Sequence, residues 1–182
     1  MLDCLEGIQR TIPVGRITPR ETLHLTLAFL DEVEKPLLLD LDVALREINV
    51  EGFSLALAGL DVFGGTQSQI LYVAVRPCEA LGDLQARVTQ VVRSAGIELP
   101  RRRYRPHVTL ARFNRPPRGG EMDRLIAMMQ TNALEQAGDF NVERFALFRS
   151  DLGRGPAQHT ELASYPLEVP GRYLEEGERD GI

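Results

Sequence analysis

No stretch of this sequence is apolar over the roughly 20 residues that a membrane-crossing helix needs, so a membrane span is not expected. The amino terminus, Met1-Leu2-Asp3-Cys4-Leu5-Glu6, lacks the basic start and apolar stretch of a secretory signal. Cysteine is scarce. Cys4 and Cys78 stand apart with no close-spaced metal pattern, which suits free thiols in a reducing cytoplasm; a disulfide between them is the less favoured alternative. Positive charge does not prevail. Lys and Arg number 21 against 26 Asp and Glu, and the net charge of −5 argues against a general nucleic-acid coat. Histidine is scarcer than most residue types, with three in 182 residues. What remains is ordinary for a soluble globular chain, 43% hydrophobic and 26% charged, and long enough to bury a core as one domain or two small lobes.

Two of the three histidines lie in matching phrases. One is Leu23-His24-Leu25-Thr26-Leu27-Ala28-Phe29, the other Pro106-His107-Val108-Thr109-Leu110-Ala111-Arg112. Each reads His, apolar, Thr, Leu, Ala. Side chains in an extended strand switch faces at every residue. His24 and Thr26 therefore share one face, with Leu25 and Leu27 on the other; His107 and Thr109 share a face opposite Val108 and Leu110. The histidines stand 83 residues apart, a little under half the chain. The repetition predicts two similar lobes, each giving one His/Thr pair to a shared cleft.

The periodicities predict a duplicated α+β architecture in chain order. A helix covers residues 1–10, stopped by Pro13 and Gly15, with a loop at 16–19. The first His/Thr strand spans Thr22 to Phe29, and a helix runs from Pro36 to about Asn49. Strands follow at 53–57 and 70–75, separated by a Gly- and Ser-rich loop at 59–69. A helix over 81–95 ends at Gly96. The series then repeats as the second His/Thr strand (104–112), a helix (122–132), a strand (140–148), a Gly-rich turn (149–156) and a strand (159–167). Antiparallel sheets would flank a central cleft with helices packed outside, and residues 171–182 would form a frayed acidic tail. By symmetry with 70–75, the first lobe would want a strand ahead of the residue 1–10 helix.

Histidine is the side chain best matched to moving protons near neutral pH. Two imidazoles facing one another can divide the work. A neutral ring takes a proton from water or a hydroxyl; a charged one protonates a leaving oxygen. Threonine hydroxyls can hold the remaining oxygens of a phosphate, with no metal required. One histidine on an apolar strand is more often structural than catalytic, but the same phrase occurring twice argues otherwise. Metal binding is the alternative, and it lacks a third ligand in either phrase; His159 sits in a different context and reads as a rim residue. Seven arginines fall between 101 and 118: Arg101, Arg102, Arg103, Arg105, Arg112, Arg115 and Arg118. They suit an anionic ligand held at one mouth, or form a solvated face. Arg112 could grip a phosphate in two places. Its odd spacing from His107 demands a twist, bulge or strand end to bring it to the same face.

On these residues the sequence resembles the two-histidine (2H) phosphoesterase superfamily, and within it the RNA 2′,3′-cyclic phosphodiesterases, also called 2′-5′ RNA ligase-like proteins. The resemblance rests on Glu21 to Leu30, on Arg105 to Arg112, and on the closing stretch Phe145 to Ser150, Gly155 and Thr160-Glu161-Leu162. It implies a single bilobal α+β domain over 1–182, acting on RNA 3′ ends or nucleotides that carry a 2′,3′-cyclic phosphate and yielding a 2′-phosphate. It implies no metal, no cofactor and no obligatory protein partner. By that pattern His24 is the general acid toward O3′ and His107 the general base toward water, while Thr26, Thr109 and Arg112 hold phosphate. Reversible 2′-5′ ligation is implied as a side activity. Two positions depart from the family's habit. Its usual opening strand, Arg-x-Phe-Val-Ala-Ile, has no counterpart here, and His159-Thr160 stands where Tyr-Thr is usual. Two other readings remain open: the same chemistry on a small cyclic nucleotide, and an RNA-end binder without turnover.

Overall fold

A computed structural model describes residues 1–64, 69–101, 103–131, 139–151 and 158–169. The expected tail at 171–182, most of the turn at 149–156, Gly155 and Arg102 lie outside them. Among the described residues four α-helices and eight strands follow in chain order, and the pairings between these strands are antiparallel. This is the mixed α and antiparallel β architecture that the periodicities predicted.

Helix α1 (Leu2–Gln9) buries Leu5, Ile8 and Gln9. Helix α2 (Lys35–Arg46) carries Pro36 in its first turn, where a missing N–H does no harm. Helix α3 (Glu79–Ser94) buries Leu81, Leu84, Val88 and Val92 along one stripe. It ends at Gly96, whose φ of 83° lets the Ile97 N–H turn back to the Val92 carbonyl at 3.2 Å. Helix α4 (Gly120–Thr131) buries Leu125 and Met128.

The strands are β1 (Arg16–Ile17), β2 (Phe53–Leu55), β3 (Leu57–Phe63), β4 (Ile70–Val75), β5 (His107–Arg112), β6 (Phe140–Val142), β7 (Arg144–Asp151) and β8 (Gln158–Pro166). One sheet has the order β1-β5-β4-β3; the pairs β2-β6 and β7-β8 form two further sheets. Strand β4, apolar from Ile70 to Val75, lies inside the larger sheet as its composition requires.

Several expectations differ from the structure. The loop expected at 16–19 opens on the two residues of β1, and residues 149–151, expected as the start of a turn, belong to β7. The stretch 59–69 does not begin as a loop: β3 continues to Phe63, because its backbone pairs with β4 despite Gly59 and Asp61. The expected strand at 140–148 is two strands with different partners, broken at Glu143. The first His/Thr phrase forms no ladder. A short 3₁₀ turn at Arg20–Thr22 precedes it, and a single antiparallel bridge, Leu25 to Val108, ties it to β5. Its place on β5 is shared with β1, which pairs Arg16 with Arg112 and Ile17 with Ala111. What fastens the phrase is packing. Leu23, Leu25 and Leu27 lie against the cluster of Leu5, Leu55, Val73, Val108 and Leu110, and the Gln85 side chain reaches the Leu27 carbonyl at 3.4 Å. The two copies of the phrase are thus built unequally, one as an inner strand and one as a bridged extended segment.

Candidate functional site

The second phrase is β5 itself. Val108, Leu110 and Ala111 are buried, whereas His107 and Thr109 are half-buried and Arg112 is exposed. Alternation alone would send Arg112 to the core side. The pairing with β4 shows why it does not. His107 faces Ala74, Val108 faces Val73 and Thr109 faces Tyr72; the register then slips, so that Ala111 faces Leu71 and Arg112 faces Ile70. Leu110 is the extra residue of a β-bulge. Directly opposed residues share a face, and Ile70, Tyr72 and Ala74 are on one face of β4. Arg112 therefore returns to the face of His107 and Thr109, by a bulge, one of the irregularities (twist, bulge or strand end) that its spacing left open.

A side chain from α1 holds that bulge. The Gln9 Nε2 donates to the Leu110 carbonyl at 3.0 Å and to the Thr18 carbonyl at 2.7 Å, and the Thr18 N–H donates to the same Leu110 oxygen at 2.9 Å. Gln9 is the buried polar side chain among the described residues, 7% exposed. Its amide donates to two backbone carbonyls, one of which, that of Leu110, also accepts from the Thr18 N–H.

The bridge from Leu25 to Val108 sets the other half of the site. In its antiparallel register His24 stands opposite Thr109, and Thr26 opposite His107. Leu25 and Val108 turn toward the core, so all four polar residues take the outer face. His24 and Thr26 are exposed. The two rings share one local device. His24 Nδ1 lies 2.6 Å from the Thr22 carbonyl, and His107 Nδ1 lies 2.7 Å from the Arg105 carbonyl. A carbonyl can only accept, which assigns the proton to Nδ1 in both rings and leaves Nε2 as the end that can take or give one.

Aromatic edges steady His107. Its ring meets Phe63 at 4.8 Å and Tyr72 at 5.3 Å, and Phe63 stacks on Tyr72 at 4.1 Å. Tyr72 donates to Asp61 Oδ2 at 2.8 Å; burial first, and that bond second, push its pKa up to about 12, so the hydroxyl keeps its proton. Beside His24 lies a residue expected only at the rim. His159, on β8 opposite Ser150, has its ring centre 5.0 Å from that of His24. Burial holds its pKa below the usual imidazole value, and the positive charges of His24 and Arg112 lower it further. His24 and His159 are therefore neighbours. Nothing around His159 in the sequence marks it; its only signal is its place where the family resemblance puts Tyr. Gln9 carried no signal at all.

The arginine cluster divides. Arg115 is taken by Glu121, at 2.8 and 2.9 Å. Arg101, Arg103, Arg105, Arg112 and Arg118 have no carboxylate at ion-pair distance among the described residues. Among those residues no group of three or more His, Cys, Asp or Glu side chains is placed to hold a metal ion.

The fold is that of LigT. The chain superposes on LigT of E. coli, solved with 3′-AMP, with a TM-score of 0.70 at 23% identity, covering 92% of each chain. It superposes on TT0787 of Thermus thermophilus with a TM-score of 0.71 at 23% identity, covering 93% of this chain and 92% of that one. The family model of the 2′-5′ RNA ligase superfamily matches residues 14–154, and the chain belongs to that superfamily. Among curated relatives, the RNA 2′,3′-cyclic phosphodiesterase of Geobacillus stearothermophilus is 30% identical over 160 residues, covering 86% of this chain and 49% of the relative. The chain thus spans about half the length of that protein. The RNA 2′,3′-cyclic phosphodiesterase of Bacillus subtilis is 28% identical over 156 residues, covering 79% of this chain and 76% of the relative.

Proposed function

We propose that this chain hydrolyses 2′,3′-cyclic phosphate ends of RNA to 2′-phosphates, with His24 and His107 as its proton carriers and no metal. The observation that carries this reading is the matched pair of imidazoles: each gives Nδ1–H to the carbonyl two residues earlier and keeps Nε2 for chemistry, on one face joined by the Leu25 bridge. The Nε2 of neutral His107 takes a proton from water as its oxygen attacks phosphorus. The P–O3′ bond breaks, and protonated His24 delivers its Nε2 proton to O3′. The 2′ ester stays, so the product is a 2′-phosphate. Thr26 and Thr109 hydroxyls hold the non-bridging oxygens, and the Arg112 guanidinium balances the charge that grows on them. A terminal 5′-hydroxyl in place of water would give a 2′-5′ linkage by the same transfers, and we propose such ligation as a side activity. The names of the curated relatives support the substrate class. We place the reaction in a cleft between two lobes of one domain, in the reducing cytoplasm, where Cys4 and Cys78 remain free thiols.

The test is incubation with an oligoribonucleotide ending in a 2′,3′-cyclic phosphate, with and without EDTA. The expected product is the 2′-phosphomonoester in both cases. His24→Ala and His107→Ala should each lower turnover by about 10²- to 10⁴-fold while circular dichroism stays native. A 3′-phosphate product, or loss of turnover in EDTA, would refute the mechanism. Binding of the cyclic end without any turnover would establish an RNA-end binder instead.

A further inference from the structure

Outside the residues assigned above, one charged group on the same face has no role. Arg16, in the two-residue strand β1, stands directly opposite Arg112 in the antiparallel register. Directly opposed residues share a face, so the bulge that turns Arg112 toward His107 and Thr109 sets Arg16 beside it. Both arginines are exposed. Neither has a carboxylate at ion-pair distance among the described residues, whereas Arg20, Arg46, Arg115, Arg144 and Arg149 each do. Like charges opposed across a strand pair destabilise it. Phosphate charge set beside each guanidinium would remove that penalty.

The placement of Arg16 is built rather than incidental. Gly15, immediately before it, has a φ of 105°, and a Cβ there would meet the Phe113 ring at 2.6 Å and the Arg112 carbonyl at 3.2 Å. Only glycine allows the chain this close to Arg112 in that conformation. Just beyond β1, Thr18 is fastened to the bulge by its own N–H and through Gln9. Both flanks of Arg16 are thus held against the same end of β5.

The reacting cyclic phosphate is a monoanion, already provided with two imidazoles, two hydroxyls and Arg112. A second guanidinium exceeds what that group needs. On an RNA ending in a cyclic phosphate, the next phosphate lies on the 5′ side of the terminal nucleotide; a cyclic mononucleotide has none. We propose that Arg16 binds this 5′-side phosphodiester and so makes the chain prefer polynucleotide ends over cyclic mononucleotides. The inference rests on the phosphodiesterase reading and adds the substrate's second phosphate to it.

The experiment compares a cyclic-ended dinucleotide, which has one internal phosphodiester, with the matching 2′,3′-cyclic mononucleotide, using wild type, Arg16→Gln and Arg16→Lys. Wild type should favour the dinucleotide. In Arg16→Gln the ratio of kcat/KM values, dinucleotide over mononucleotide, should fall about tenfold, through KM, as for one lost charged hydrogen bond. The slope of log kcat/KM against log salt for the dinucleotide should flatten by about 0.7, one phosphate contact on a single strand. Arg16→Lys, which keeps the charge, should recover part of the ratio. An unchanged ratio in Arg16→Gln, or equal losses on both substrates, would overturn the assignment and leave the phosphodiesterase reading standing. A wild-type protein that turns over neither substrate would overturn both.

Discussion

The imidazoles of His24 and His107 take their orientation from the chain beside them. Each ring is pinned through Nδ1 by a carbonyl two residues back, so no buried carboxylate is needed to choose the tautomer. His159 is set differently. Its ring lies against that of His24, and its ordinary pKa of 6.5 is lowered by burial first and by the charges of His24 and Arg112 next. A nearby cation opposes protonation, so removing one must raise the pKa. The imidazole proton resonances of His159, followed by NMR against pH, should titrate below the usual value in the wild type and move upward in Arg112→Gln. An unmoved titration would separate His159 from Arg112. At this scale the repeated phrase made His24, Thr26, His107 and Thr109 legible, because a local pattern records which side chains share a face. His159 and Gln9 left no such record. They reach the site from a distant hairpin and a distant helix.

Among the elements, the bulge in β5 is what brings Arg112 to the face of His107 and Thr109. The spacing of Arg112 from His107 required a twist, bulge or strand end but did not say which. The structure puts it at Leu110 and closes it with the Gln9 amide. Gln9→Leu removes the side-chain donor from the Thr18 carbonyl and leaves the Leu110 carbonyl with the Thr18 N–H alone, at about 1–3 kcal/mol of stability. It should also loosen the aim of Arg112. A double-mutant cycle checks this: Gln9→Leu should lower kcat/KM in the wild type and much less in an Arg112→Gln background. Additive losses would mean that Gln9 is only structural. The first His/Thr phrase shows the opposite limit of reading elements. Its alternation correctly marks one polar and one apolar face, yet the segment forms one bridge in place of a ladder. Alternation states the face of a side chain; which backbone hydrogen-bonds to which is decided by segments far away. The split of 140–148 into β6 and β7 has the same cause.

For the molecule as a whole, helix α3 joins two apolar clusters. Leu84, Val88 and Val92 pack with α2 and the β7-β8 hairpin, and Leu81 packs with α1 and the large sheet. A polar contact ties the hairpin to α2: the Tyr165 hydroxyl donates to Asp42 Oδ1 at 2.8 Å, and Arg46 grips the same carboxylate at 2.9 Å. The Tyr165 bond first, and Arg46 second, hold the Asp42 pKa below the usual carboxylate value. A carboxyl lowered in the folded state adds stability above its unfolded pKa, and that contribution is lost as pH falls through the folded value. In Tyr165→Phe the larger cause is gone. Its acid unfolding, followed by circular dichroism, should begin at higher pH than that of the wild type. Coincident acid transitions would show that the contact does not bear on stability.

By itself the sequence determined the residue types and their faces: two His/Thr pairs, four amphipathic helices and an apolar strand at 70–75, all written in periodicities a few residues long. Only the tertiary structure decided that the first pair stands opposite the second in the register of one bridge, that a bulge returns Arg112 to their face, and that Arg16 and His159 join them. Those outcomes depend on backbone pairings between segments up to a hundred residues apart, and a short-range pattern carries no information about such partners.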